Sequence, residues 1–73
     1  VIAGQAPDNW TVSTVRESGA FTMWGVYRNG RLILSGYELA EHARWARTFL
    51  ERGELPPGTP ENLHALIYAR LAR

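Results

Sequence analysis

The chain has 73 residues, with 8 basic and 7 acidic side chains and a formal net charge of +1, and it contains no cysteine. That length suits one small domain, which buries only about 60% of the surface its unfolded chain exposes. The missing cysteine excludes a disulfide framework and a cysteine-based zinc site, and the near-neutral charge argues against a strongly basic nucleic-acid binder.

Residues 1–9 (VIAGQAPDN) carry Gly4, Pro7, Asp8 and Asn9 and read as an extended arm ending in a turn. Val1 to Ala3 could add a fourth, edge strand. From Trp10 to Val15 the run is β-branched and alternating, which predicts a strand, and Glu17-Ser18-Gly19 signals a turn. Phe21 to Arg28 and Arg31 to about Ser35 are the next two strands, joined by Asn29-Gly30, the pair that a type I′ turn requires. That turn sets Arg28 opposite Arg31, Tyr27 opposite Leu32 and Val26 opposite Ile33. One face then carries Phe21, Met23, Tyr27, Leu32 and Leu34, and this is the expected core face. A two-residue Ser18-Gly19 loop sets Trp10, Val12 and Thr14 beside them, the favoured reading because Thr11 and Ser13 then point outward. A three-residue loop with Gly19 in a bulge would turn the first strand over.

Ser35 and Glu38 have capping-box spacing, and the helix behind them runs over residues 38–53. Its apolar stripe is Leu39, Ala43, Ala46, Phe49 and Leu50, with Trp45 beside the stripe and His42 one turn earlier. Gly53 stops it, and residues 54–59 form a Pro/Gly linker. Thr59-Pro60-Glu61 restarts a helix over 60–73, with Leu63, Leu66, Ile67 and Leu71 inward and Arg70 on the rim. The expectation is an α+β fold: a three-stranded antiparallel sheet over 10–37, followed by two helices in the order β-β-β-α-α.

The second sheet face is the candidate binding surface. It carries Trp24, Val26, Arg28, Arg31, Ile33 and Tyr37, which places aromatic rings beside guanidinium groups. Directly opposed arginines destabilise a hairpin unless an anion lies between them. If the last helix covers this face, Trp24, Val26 and Ile33 are core instead. If it is open, its Trp, Tyr and Arg content suits a protein partner, and a nucleic acid stacked on the rings is the alternative. A homodimer through this face or an exposed edge strand is a third arrangement.

Chemistry is sparse. His42 and His64 stand on different helices without a cysteine or an acid cluster, so no metal site is expected. No serine sits in a nucleophile elbow, and no glycine loop precedes a helix at phosphate-binding spacing. The expectation is a non-catalytic binding module of the kind small accessory or inhibitory phage and plasmid proteins represent, without a cofactor. No apolar run reaches the ~18 residues of a membrane span, and no basic-then-apolar leader is present. A cytoplasmic location and no membrane partner are expected. Val1 in place of methionine leaves both an excised initiator and a longer parent chain open. Three strands followed by a helix is also the order of sheet-based DNA readers such as the arm-binding domains of tyrosine recombinases. The sheet positions those domains make basic are here Thr11, Ser13 and Thr22, and no family follows.

Overall fold

The computed structural model describes residues 8–18 and 21–72, apart from the side chains of residues 16–18 and 21. Strands β1 (Trp10–Ser18), β2 (Phe21–Arg28) and β3 (Arg31–Tyr37) form one antiparallel sheet in the order β1-β2-β3. Helix α1 (Ala40–Leu50) follows, then α2 (His64–Leu71), entered through a 3₁₀ turn over Glu61–Leu63. This is the expected α+β arrangement in the order β-β-β-α-α. The edge strand expected at Val1–Ala3 lies outside the described residues. Glu17 and Ser18, expected in a turn, belong to β1, with Ser18 opposite Phe21.

The hairpin turn forms as its residue types require, with φ of 53° at Asn29 and 81° at Gly30. Arg28 faces Arg31 and Tyr27 faces Leu32, as expected. Beyond that point the register departs from the sequence reading. Val26 faces Leu34, not Ile33, and Trp24 faces Tyr37, so Ile33 and Gly36 are extra residues in β3. Val15 is the extra residue in β1, between Thr14 opposite Trp24 and Arg16 opposite Met23. Each such bulge breaks the two-residue alternation and bends the strand.

The helices cover the face expected to be open, and the bulge at Ile33 brings Leu34 onto it as well. Val26, Ile33 and Leu34 are buried together with Ala43, Ala46 and Leu50 of α1 and Ile67 of α2, flanked by Trp10, Val12, Trp24 and Tyr37. Met23, Tyr27 and Leu32, expected in the core, lie on the opposite face with Thr11 and Ser13. The physical reason is twofold. The bulge at Ile33 puts two large aliphatic side chains on one side, and Gly25 leaves the middle of the other side without one. Ala43 and Ala46 have no exposed surface, so no long side chain holds α1 off the sheet. Burying Ile33, Leu50 and Ile67 contributes about 1.5–3 kcal/mol each.

Two expected caps are not made. Ser35 is an exposed member of β3 opposite Gly25, and α1 starts behind Leu39 with no side-chain cap. The bulged β3 consumes the residues a capping box would need. Thr59 turns backward, donating its hydroxyl to the Pro56 carbonyl at 2.6 Å, while Pro60 stays extended before the 3₁₀ turn. The stop at Gly53 is as expected. With φ of 75° it lets its own N–H reach Leu50 O and the Glu54 N–H reach Phe49 O, both at 3.0 Å.

Candidate contact surfaces

The six residues expected on one open face are divided by this packing. Val26 and Ile33 have no exposed surface, and Trp24 packs against the core they form. This corrects the open-face assignment for the middle of the sheet, because the helices cover it. Arg28 and Arg31 stand at the hairpin tip and Tyr37 at the far end of β3. The structure therefore presents two separate surfaces.

At the tip, Arg28 is a structural tie. Its Nη2 pairs with Asp8 at 2.8 Å, its Nη1 donates to the Leu71 carbonyl at 2.7 Å, and its guanidinium lies 5.7 Å from the Trp10 ring centroid. Its Nε is buried without a hydrogen-bond partner among the described residues. Asn29 completes the tie by donating to Asp8 at 3.1 Å and accepting the Asn9 N–H at 2.8 Å. The Arg28 and Asn29 hydrogen bonds hold the Asp8 carboxyl below its ordinary value. Arg31 is exposed and has no carboxylate within ion-pair distance among the described residues. Arg70, on α2, donates to the carbonyl of the bulge residue Ile33 at 3.1 Å.

At the other end, Tyr37 and Trp45 share a cleft of about 610 Å³ with Glu41 and His42. A second recess of about 310 Å³, between the end of β3 and the Pro57–Pro60 segment, again has Tyr37 and Trp45 on its wall. Trp45 is 44% exposed. Its ring meets Phe49 edge-on, with centroids 5.0 Å apart at 67°, and Arg52 covers Phe49 at 5.2 Å. His42, Trp45 and Phe49 follow at i, i+3 and i+7, a helical stripe beside the buried Ala43, Ala46 and Leu50. Burial raises the Tyr37 phenol above its ordinary value. Sequence reasoning placed Trp45 off the core stripe but did not count it as a site residue. Its off-stripe position was the available signal.

Among the described residues no group of three His, Asp or Glu side chains is placed to hold a metal ion, and no helix is long and apolar enough to cross a membrane. The fold and its surfaces define a small two-layer α+β structure, with helices on one face of a three-stranded sheet. Comparison with family models finds no match, and comparison with curated proteins and with solved structures finds no significant one.

Proposed function

We propose that the chain is a non-catalytic protein-binding module whose contact surface is centred on Trp45 and Tyr37, with His42 and Phe49 on its border. One observation carries this reading: a chain with little core to spare leaves nearly half of a tryptophan in solvent beside a second aromatic ring. A fully buried tryptophan removes roughly 150–250 Å² from water, so that surface is surplus to the fold. Trp and Tyr are also the residues that dominate protein–protein binding energy, because they bury much area at little entropic cost. A cytoplasmic setting belongs to the proposal and is supported by the cysteine-free composition.

The test is capture of a partner from cell extract, followed by titration of the purified partner. Trp45→Ala is expected to keep its far-UV spectrum and to weaken binding by about 2 kcal/mol or more, roughly thirty-fold. Unchanged affinity in that variant contradicts the proposal. Nucleic-acid binding is the second reading. It is favoured by the arginines at the hairpin tip, and it predicts an affinity that falls steeply with added salt.

A further inference from the structure

Arg28 and Arg31 face each other directly beside the turn, an arrangement that costs stability unless an anion intervenes. Asp8 answers only Arg28. Arg31 and Arg70 have no acidic partner among the described residues, and one Arg70 nitrogen is held by the Ile33 carbonyl. With Asn29 and Ile33, these three arginines line a cleft of about 190 Å³ whose described walls carry no carboxylate. Among the described residues Asp8 cancels one charge, and two remain. Through Arg31 and Arg70 the cleft borders a recess of about 470 Å³ lined by Leu32, Leu66 and Ala69. Leu66 is 45% exposed there, an apolar side chain beside two unneutralised guanidinium groups.

We infer that this cleft binds a doubly charged oxyanion, the phosphoryl group of a monoester carried on an apolar body. Guanidinium forks match phosphoryl oxygens in geometry and bind them through paired, charge-assisted hydrogen bonds. A phosphate monoester carries about −1.5 to −2 at neutral pH, which matches the two uncompensated arginines. A carboxylate or a phosphodiester carries one charge and leaves one arginine unanswered. The apolar recess beside the arginines takes the group that bears the phosphate. The inference is independent of the Trp45 surface and does not rest on it.

The experiment is an NMR titration of the arginine side-chain N–H groups and the Leu66 methyl groups, in chloride buffer near neutral pH. The probes are phenyl phosphate, inorganic phosphate, acetate and dimethyl phosphate. Saturable shifts at Arg31 and Arg70 are expected with phenyl phosphate and inorganic phosphate, the two probes that reach the dianion near neutral pH, and at Leu66 with phenyl phosphate alone. Arg31→Ala should weaken phenyl phosphate about tenfold or more, while Arg31→Lys keeps the charge but recovers only part of the affinity. Arg31 is exposed and makes no side-chain hydrogen bond or ion pair among the described residues, so without ligand Arg31→Ala should melt no lower than the parent, because a like-charge pair is gone. Shifts that never saturate, or an Arg31→Ala affinity equal to the parent's, overturn the inference. Dimethyl phosphate or acetate binding as tightly as phenyl phosphate also overturns it, since the cleft would then select one charge. The dimethyl phosphate outcome would make it a contact for a nucleic-acid backbone.

Discussion

At Arg28, an arginine expected on an open binding face instead joins the ring of Trp10, the carboxylate of Asp8 and the last turn of α2. Its planar fork makes the triple contact feasible, since separate nitrogens reach separate partners. The pairing has a pH signature. The folded-state pKa of Asp8 lies below the unfolded value of 3.8. Its contribution is therefore fully present above that value and is lost as pH falls through the folded one. Tyr37 acts at the other extreme. Its folded pKa lies above 10.0, so the unfolded chain loses its proton first and stability declines as pH rises beyond that value. Melting midpoints measured against pH should show both limbs. Asp8→Asn should flatten the acid limb, and an acid limb identical to the parent's would show that the Asp8–Arg28 pair is not coupled to folding.

Among the elements, the strands show where reading from sequence holds and where it stops. Asn29-Gly30 fixed the turn and the first two cross-strand pairs, because positive φ at both positions is a property of residue type. Alternation then failed at Ile33, Gly36 and Val15, since a bulge depends on what packs above the strand rather than on the strand's own residues. Ser35 failed as a cap for the same reason: tertiary pairing with Gly25 outweighed a local spacing. Gly25 carries the sharpest local consequence. A Cβ built there would stand 2.5 Å from the Val15 Cγ2, 2.8 Å from the Leu32 Cδ1 and 3.2 Å from the Leu34 carbonyl oxygen. Gly25→Ala should therefore destabilise by about 1–3 kcal/mol, the usual cost of overpacking. Adding Val15→Ala should return part of that loss in denaturant unfolding, and the backbone contact limits the recovery. Equal losses in the single and double variants would show that Val15 does not close over Gly25.

For the molecule as a whole, both helices lie on one face of the sheet, and this one fact decides what each aromatic residue is for. Trp10 and Trp24 flank the core, whereas Trp45 stands on the outer flank of α1. The helix positions were legible from apolar spacing and from Gly53. Which sheet face they cover was not, because two faces of similar apolar content compete, and the Leu34 that the Ile33 bulge adds to one of them does not show in a strict alternation. The arginine cleft was half legible, through the opposed Arg28 and Arg31; Arg70 joins it only because α2 packs along β3. The central claim is that the Trp24, Val26 and Ile33 face holds the fold together while Trp45 is surplus to it. Denaturant unfolding of Ile33→Ala beside Trp45→Ala tests this most directly. Ile33→Ala should cost about 2–5 kcal/mol, and Trp45→Ala less than Ile33→Ala, about 1–3 kcal/mol for the buried part of its ring and its edge contact with Phe49. A Trp45→Ala loss equal to or greater than that of Ile33→Ala would contradict the account.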